Sequence, residues 1–119
     1  DTSLEKLKGQ WVIVNYWADW CAPCIKELPE LFEFAEENND VLVYVFNFDE
    51  LDPEDLAPLA KRFNLKLPSL ISHPREIWGI ETPPAVPATF FISPEGVLVE
   101  SLFRPQTKDS LNSVLASVK

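Results

Sequence analysis

The chain has little of several residue types that particular classes of protein require. Its 119 residues include two cysteines, one histidine, three glycines and no methionine. Two cysteines are too few for a small protein that is held together by several disulfides. The sequence has no apolar run that approaches the roughly 18 residues typical of a membrane-spanning helix. We therefore expect no membrane insertion by this segment.

Basic residues are also scarce, because 10 Lys and Arg stand against 19 Asp and Glu, for a net charge of −9. Nucleic-acid binding requires a basic surface that neutralises phosphates, so we expect no nucleic-acid partner. From Glu27 to Asp55 the chain carries 11 of the 19 acidic residues and no Lys or Arg. This segment predicts a negative part of the surface, which either keeps the protein soluble or selects a partner with a basic rim.

The remaining composition is that of one folded domain. Hydrophobic residues make up 46% and charged residues 24% of the chain, close to the averages for globular proteins. The sequence shows no repeat, low-complexity tract or linker, so we predict a single domain over residues 1–119. Because the chain begins at Asp1 and contains no methionine, we also expect a processed product or an excised segment, from which any signal peptide or anchor has been removed.

The first half of the chain predicts a strand–helix–strand unit. Residues 11–17 and 41–46 are nearly continuous apolar runs, typical of strands that are buried on both faces. Between them, apolar residues recur at helical spacing. Residues 38–40, Asn-Asn-Asp, predict the end of this helix, because they tolerate a left-handed conformation. The predicted apolar face of the helix consists of Ile25, Leu28, Leu31, Phe32 and Ala35.

The second half predicts two further helical segments, a hairpin and a last helix. The first helical segment starts either at Asp55, as its N-cap, or at Pro53, and the sequence leaves this choice open. Pro74–Trp78 predicts a helical turn that is closed by a glycine. Residues 89–92 and 97–103 predict an antiparallel hairpin, and a threonine at position 107 predicts the cap of the last helix. The chain is therefore predicted to be a mixed α/β domain.

Cys21 and Cys24, spaced as Cys-Ala-Pro-Cys, come where the first strand gives way to the first helix. Unpaired N–H groups and a partial positive charge at a helix N-terminus stabilise a thiolate. We therefore expect the pKa of Cys21 to lie below the free value of about 8.5. Cys24 lies further into the helix and should be more buried and less reactive. Two thiols of unequal exposure at this spacing favour a reversible dithiol–disulfide couple.

Three alternatives to redox function are weaker. A purely structural disulfide would contribute only about 2 kcal/mol, because the loop that it closes is so short. A zinc site needs four ligands, and the chain offers one Cys-x-x-Cys and a single histidine, His73, which we interpret as a cap or loop residue before Pro74. Two inert core cysteines would not require the aromatic and proline residues that flank them. We therefore expect neither a metal nor any other cofactor.

The segment from Asn15 to Cys24, Asn-Tyr-Trp-Ala-Asp-Trp-Cys-Ala-Pro-Cys, resembles the active-site segment of the thioredoxin superfamily. Pro29 lies where thioredoxins carry the proline that kinks the active-site helix. Val86-Pro87, followed by residues 88–92, resembles the cis-proline loop of the family. The resemblance extends over the chain from about Leu4. It implies a thioredoxin fold with a central mixed β-sheet flanked by helices.

Within the superfamily, the chain is most similar to bacterial extracytoplasmic reductases of the TlpA/ResA type. Asn15 replaces the buried aspartate of cytosolic thioredoxins, and Glu27 lies where ResA-type proteins have a glutamate that assists the thiols. Residues 51–84 are long enough for a TlpA-type helical insertion. Residues 82–88 replace the Gly-Val-x-Gly-x-Pro-Glu signature of the CcmG or DsbE branch, which argues against a dedicated role in cytochrome c maturation. The resemblance also implies a periplasmic or otherwise extracytoplasmic location.

Glu27 has two interpretations. It is either one more exposed glutamate on a glutamate-rich helix or a partly desolvated carboxylate close to Cys24. In the second case, burial raises its pKa toward neutrality, as a proton donor or acceptor for the buried thiol requires.

The resemblance implies a thiol-disulfide oxidoreductase that most closely matches the reductases of partner-protein disulfides. Its catalytic residues would be Cys21, Cys24 and Glu27. Its partners would be a disulfide-containing substrate protein and an upstream thiol electron donor, such as a membrane-bound thiol carrier. The residues expected to bind the substrate, with Pro87 in the cis form, are Trp20, Ala22, Pro23, Val86 and Pro87.

Two alternative functions stay open at this point. The chain could be a thioredoxin-like module that senses redox state or binds copper, while its acidic surface recruits a partner. It could also be the electron-supplying domain of a larger redox repair enzyme.

Overall fold

A computed structural model describes residues 7, 9–70 and 72–119 of the chain. Leu4, where the resemblance to thioredoxins begins, lies outside these residues, and the assignment of residues 1–119 to a single domain stays a prediction. The described strands and helices are, in chain order, β1 (Trp11–Trp17), α1 (Ala22–Glu37), β2 (Val41–Asn47), α2 (Pro53–Arg62), α3 (Pro74–Trp78), β3 (Ala88–Ile92), β4 (Leu98–Leu102) and α4 (Lys108–Val118).

The four strands form one mixed sheet in the order β2-β1-β3-β4. Strand β2 is parallel to β1, whereas β3 is antiparallel to β1 and β4 is antiparallel to β3. The predicted strand–helix–strand unit, the hairpin and the central mixed sheet are therefore confirmed. The outer edge of β2 is covered by residues 68–70, because Val45 N donates to Pro68 O at 3.0 Å and Leu70 N donates to Val45 O at 2.9 Å. This bridge leaves less of the edge open to other strands.

Alternate residues of β1 point to opposite faces of the sheet, as a strand requires. Val12 and Val14 join an apolar cluster on the face against which α3 packs, whereas Ile13 joins the cluster formed with α1 and α4. A third, smaller cluster surrounds both cysteines and includes Trp17 and Val45. The last residue of β1, Trp17, therefore packs in the same apolar cluster as the two cysteines.

Helix α1 begins directly after Cys21, with a proline in its first turn, where no backbone donor is lost. Its buried face differs from the predicted one, because Phe34 is fully buried and Phe32 only half-buried. The helix does not end in a left-handed conformation, since Asn38 has φ −127°. Instead, Asn38 Nδ2 donates to Phe34 O at 2.9 Å and to Asn112 Oδ1 at 3.0 Å. The side chain thus satisfies a carbonyl at the helix end that a left-handed residue would otherwise help to satisfy.

Helix α2 begins at Pro53, so the alternative start with Asp55 as N-cap is wrong. The reason is that Asp55 N already donates to Asp52 O at 2.9 Å, within the first helical turn. Pro58 consequently lies inside the helix. None of the described residues of α2 is fully buried, although Leu56, among others, packs against the cluster around the cysteines.

The stretch between β2 and β3 contains α2 and α3, and its identity as a TlpA-type insertion stays a prediction. Helix α3 has the bounds of the predicted helical turn, Pro74–Trp78. His73 is its N-cap, and Gly79 closes it with φ 71°, a left-handed conformation that glycine adopts without a steric penalty. Thr107 caps α4 as predicted, in a reciprocal arrangement with Ser110.

Candidate active site

The two cysteines form a disulfide at the N-terminus of α1. Cys21 is joined to Cys24, with their Cα atoms 5.3 Å apart. Cys21 is also the N-cap, because its Sγ accepts a hydrogen bond from Cys24 N at 3.2 Å. The sulfur therefore takes the place of the side-chain oxygen that usually satisfies a first-turn N–H group. In the reduced form, the same N–H group and the helix dipole stabilise negative charge on Cys21 Sγ.

The two cysteines differ in exposure, and the order is as expected. Cys24 is fully buried and Cys21 is 5% exposed, so even the outer cysteine presents only a small part of its surface. Cys21 Sγ lies 3.7 Å from Val86 O. Because a disulfide sulfur carries no hydrogen, this is a contact in the oxidised form. In the reduced form, the same two atoms lie within reach of a weak S–H···O bond.

The Val86–Pro87 peptide bond is cis, as predicted. Val86 is half-buried, Pro87 is buried, and the strand that follows them is buried along its whole length. Strand β3 pairs directly with β1. The sheet therefore fixes the Val86 carbonyl beside the sulfur of Cys21.

The surface around Cys21 is formed by exposed residues of the loop and the first helical turn. Trp20 is 62% exposed, and Ala22 and Pro23 are also exposed. Trp20 Nε1 donates to Asp49 Oδ2 at 2.8 Å on the surface. Trp17, in contrast, is 1% exposed and belongs to the core.

Glu27 is buried, so its interpretation as one more exposed glutamate is wrong. The residue is 2% exposed. Oε1 accepts a hydrogen bond from Asn15 Nδ2 at 2.8 Å, and Oε2 accepts one from Gln106 N at 2.7 Å. Burial raises the pKa of Glu27 to about 7, although the hydrogen bonds from Gln106 and Asn15 lower it. Glu27 and Cys24 are three residues apart on one helix, a spacing that makes their side chains neighbours.

Two hydrogen-bond partners in this network, Thr89 and Gln106, were not predicted. Asn15 Nδ2 donates to Thr89 Oγ1 at 3.1 Å as well as to Glu27, and Gln106 contributes a main-chain N–H group. A sequence signal exists for Asn15 and Thr89, because each is a polar residue within an apolar strand, and buried polar groups require hydrogen-bond partners. No residue-type signal exists for Gln106, since any residue except proline has this N–H group.

A cavity of about 300 Å³ that opens to the surface includes Glu27 in its lining. It lies between the first turns of α1 and the segment that leads into α4. Glu27 therefore borders an open cavity, although only 2% of its surface is exposed. The lining residues are Ala22, Pro23, Lys26, Glu27, Glu30, Pro105, Gln106 and Thr107.

A second cavity, of about 530 Å³, lies elsewhere, and neither cysteine lines it. His73 lines it, and His73 Nδ1 accepts a hydrogen bond from Arg75 N at 3.0 Å, which confirms its role as a cap. Within residues 7, 9–70 and 72–119, no three His, Cys, Asp or Glu residues are grouped as a metal site requires. Among the described helices, none is both long enough and apolar enough to span a bilayer.

Sequence comparison relates the chain to thiol-disulfide oxidoreductases. Residues 1–101 match the AhpC/TSA family. The chain is 31% identical over 116 residues to the thiol-disulfide oxidoreductase ResA of Bacillus cereus, a match that covers 97% of this chain and 67% of the relative.

Structure comparison relates the chain to proteins of the same fold. A DsbF homologue from Corynebacterium diphtheriae superimposes with a TM-score of 0.79 at 24% identity, covering 98% of this chain and 76% of that protein. This likeness shows the thioredoxin-like fold. The exposed lipoprotein thioredoxin Etrx1 of Streptococcus pneumoniae superimposes with a TM-score of 0.73 at 28% identity, covering 96% and 89% of the two chains.

Proposed function

Because the chain belongs to the AhpC/TSA family, in the thioredoxin superfamily, we propose that this thiol-disulfide oxidoreductase is a reductase of disulfides in partner proteins. The observation that carries the proposal is the Cys21–Cys24 disulfide, with Cys21 Sγ as the N-cap of α1. This is the oxidised product that such a reductase would leave after one turnover.

In the first step, the Cys21 thiolate attacks one sulfur of the partner disulfide. A mixed disulfide forms between Cys21 and the partner, and the other partner sulfur leaves as a thiolate that takes up a proton. The helix N-terminus supports this step, because it stabilises the thiolate before attack. Cys21 is also the more exposed of the two cysteines.

In the second step, Cys24 loses its proton and attacks Cys21 Sγ. The Cys21–Cys24 disulfide forms, and the second partner thiol is released. The protein is oxidised by two electrons and the partner is reduced by two electrons and takes up two protons. Glu27, or a water molecule, accepts the proton of Cys24. A carboxylate with a pKa of about 7 is suited to both accept and return a proton near neutral pH.

Asn15 supports both protonation states of Glu27. In the ionised state, Asn15 Nδ2 donates to Glu27 Oε1. Asn15 Oδ1 is buried and has no hydrogen-bond partner among the described residues. A half-turn of the amide brings Oδ1 toward Glu27, where it can accept a hydrogen bond from the protonated carboxyl group. An aspartate at this position would instead repel the ionised Glu27.

Substrate docking uses Trp20, Ala22, Pro23 and the edge formed by Val86 and Pro87. An extended segment of the partner pairs with the Val86 main chain as an added strand, which brings its disulfide to Cys21. The contact of 3.7 Å between Cys21 Sγ and Val86 O supports this geometry. The exposed indole of Trp20 adds an apolar surface beside the sulfur.

The groups beside Cys21 support the proposed direction of electron flow. A strong oxidant stabilises its thiolate much further, as a histidine between the cysteines would, and Ala22 and Pro23 offer no such group. We expect a potential of about −200 to −270 mV, in the range of glutaredoxins and thioredoxin. An upstream dithiol donor, such as a membrane-bound thiol carrier, restores the reduced form. We propose a periplasmic or otherwise extracytoplasmic location, which is supported by the relative described as an exposed lipoprotein.

The test is reduction of insulin disulfides, with a thiol reductant to regenerate the protein, together with a redox titration. The wild-type protein should accelerate reduction, and Cys21→Ser should abolish the acceleration. A potential near −120 mV, the value of a strong oxidant, would contradict the reductase assignment. Equal activity of the wild-type protein and Cys21→Ser would contradict thiol-disulfide exchange at this site.

A further inference from the structure

Two glutamates of α1 hold the segment that leads into α4. Glu27 and Glu30 are three residues apart, a spacing that places their side chains on the same side of a helix. Glu27 Oε2 accepts a hydrogen bond from Gln106 N at 2.7 Å, and Glu30 Oε1 accepts one from Lys108 N at 2.7 Å. The start of α4 is therefore joined to α1 through two main-chain N–H groups that are two residues apart.

The N–H group between these two serves α4 itself. Thr107 N donates to Ser110 Oγ at 2.8 Å, and Ser110 N donates to Thr107 Oγ1 at 3.0 Å. The side chain of Gln106 joins this cap, because its Oε1 accepts from Ser110 Oγ at 2.8 Å. Since these bonds tie residues 106–110 to one another, a displacement of Lys108 N also displaces Gln106 N.

The position of Glu30 suits a support of this segment. Its side chain is half-buried, and the N–H group that it binds belongs to Lys108, the first residue of α4. A carboxylate at a helix N-terminus interacts favourably with the helix dipole. Lys108 Nζ also pairs with Glu37 Oε2 at 3.0 Å, but an exposed ion pair contributes little. The main-chain bond to Glu30 is therefore the stronger link between Lys108 and α1.

The bond from Gln106 N affects how tightly Glu27 holds its proton. Burial raises the pKa of Glu27 to about 7, and of the two hydrogen bonds that lower it, the one from Gln106 has the larger effect. A donor of this kind favours the ionised form of a carboxyl group. Without it, Glu27 would stay protonated to a higher pH and would be a poorer acceptor for the proton of Cys24 near neutral pH.

The charge of Glu30 acts on Glu27 in the opposite direction. A nearby negative charge raises the pKa of a carboxyl group, so removal of this charge alone should lower the pKa of Glu27. Strands β1, β2 and β3 contain no Asp, Glu, His, Lys or Arg, and their tyrosines belong to the cluster on the other face of the sheet. The other charged residues between positions 22 and 30 and between 103 and 109 are Lys26, Arg104, Lys108 and Asp109.

We propose that Glu30 is a positioning residue for Glu27. By accepting the N–H group of Lys108, it holds the start of α4 against α1 and keeps Gln106 N on Glu27 Oε2. This inference rests on the proposed function, in which Glu27 accepts the proton of Cys24 when the partner is released.

The test is the titration of the Glu27 carboxyl carbon in the oxidised protein, followed by NMR spectroscopy and assigned by its loss in Glu27→Gln. The cysteines do not titrate in this form, and the wild-type midpoint should be about 7. Glu30→Ala removes the acceptor for Lys108 N and should raise the midpoint by about one pH unit, the effect of one hydrogen bond to a charged group. Glu30→Gln loses the charge but keeps an oxygen acceptor, so its midpoint should equal or fall below that of the wild type.

The rate of partner release should follow the same shift. With a midpoint about one unit higher, Glu27 is ionised in about a tenth of the molecules at pH 7 instead of half, so release by Glu30→Ala should be about fivefold slower. At pH 9 the variant and the wild type should have nearly the same rate. An equal loss at both pH values would show a merely structural role and would overturn the proposal.

Thr107→Ala is the matched control for loss of stability at the start of α4. It removes the side-chain cap of the helix but leaves Glu30 as an acceptor, so its Glu27 midpoint should stay near 7. An equal rise in Thr107→Ala and Glu30→Ala would overturn the proposal in favour of a general loosening of α4. A midpoint that does not rise in Glu30→Ala, or that rises as much in Glu30→Gln, would also overturn it.

The titration needs no substrate, so the two proposals fail in different ways. If the protein reduces insulin but Glu30→Ala leaves the Glu27 midpoint unchanged, the positioning role is wrong and the proposed function stands. If the midpoint rises as expected but insulin is not reduced, the reductase assignment is wrong and Glu30 still positions Glu27.

Discussion

The two sides of the Cys21–Cys24 disulfide are built differently. On the inner side, behind Cys24, the Glu27 carboxylate is held by hydrogen bonds from Asn15 and Gln106, and α1 is buried along one face. On the outer side, Trp20 is exposed and none of the described residues of α2 is fully buried. The difference indicates a division of tasks. Proton transfer requires fixed geometry, whereas recognition of partner surfaces requires exposed groups that can adjust.

On the inner side, Glu27→Gln should have the largest effect, a slower release of the reduced partner. The amide cannot accept the proton of Cys24, so release of the reduced partner should slow by about 100-fold, the lower end of general acid–base contributions. In the wild-type protein, the rate of this step should rise with pH through about 7, where Glu27 ionises. Single-turnover release of the partner, measured from pH 5 to 9, checks both expectations.

The control for this variant is Glu33→Gln, on the same helix but exposed. It should retain both the rate and the rise near pH 7. The same pH profile in wild type and Glu27→Gln would show that another group accepts the proton.

Glu27 should also make the stability depend on pH. Its pKa is raised from 4.5 to about 7 in the folded protein, so the folded state binds the proton more tightly than the unfolded state. The contribution of Glu27 to stability is therefore fully present below about pH 4.5 and is lost as the pH rises through about 7. The shift corresponds to about 3 kcal/mol.

Urea unfolding of the oxidised wild type and of Glu27→Gln between pH 4.5 and 8 measures this contribution. The free energy of unfolding of the wild type should fall relative to that of the variant as the pH rises. A difference between the two proteins that does not change with pH would contradict the burial of an ionisable Glu27.

The helices on the two sides should differ in their sensitivity to truncation. Leu28→Ala in α1 removes a side chain that is 2% exposed and should cost about 3 kcal/mol. Leu59→Ala in α2 removes a half-buried side chain and should cost about 1 kcal/mol. Denaturant unfolding of both variants measures the two losses of free energy of unfolding. A larger loss for Leu59→Ala than for Leu28→Ala would contradict the division between the two sides.

The smallest effect is expected for Trp20→Ala on the outer side. Loss of the exposed indole should raise KM for a protein disulfide by about fivefold and leave kcat nearly unchanged. Val97→Ala removes another exposed apolar side chain, in the hairpin, and should leave KM unchanged. Steady-state kinetics with insulin would contradict the docking role of Trp20 if both variants behaved alike.

The sequence was sufficient to predict features that depend on local pattern. The apolar runs predicted the strands. The position of Cys21 at a helix N-terminus was predicted because the cysteine lies between the apolar run of residues 11–17 and the segment with helical spacing of apolar residues. The buried face of α1 was less predictable, because it includes Glu27 and Cys24. An apolar pattern alone omits both residues and therefore selects Phe32 rather than Phe34.

Features that depend on distant main-chain groups could not be predicted. The hydrogen bond from Gln106 N to Glu27 joins residues that are 79 positions apart, and an N–H group carries no residue-type signal. The raised pKa of Glu27 belongs to one of the two interpretations that the sequence left open, and the burial of the residue decides between them.

The central claim is that Cys21 attacks the partner and Cys24 releases it. The most direct measurement is mass spectrometry, under non-reducing conditions, of Cys24→Ser and Cys21→Ser after each is mixed with a disulfide substrate. Cys24→Ser should accumulate the substrate in a covalent bond to Cys21, and Cys21→Ser should accumulate none. Accumulation on Cys24 in the Cys21→Ser protein, with none on Cys21 in the other, would contradict the assignment.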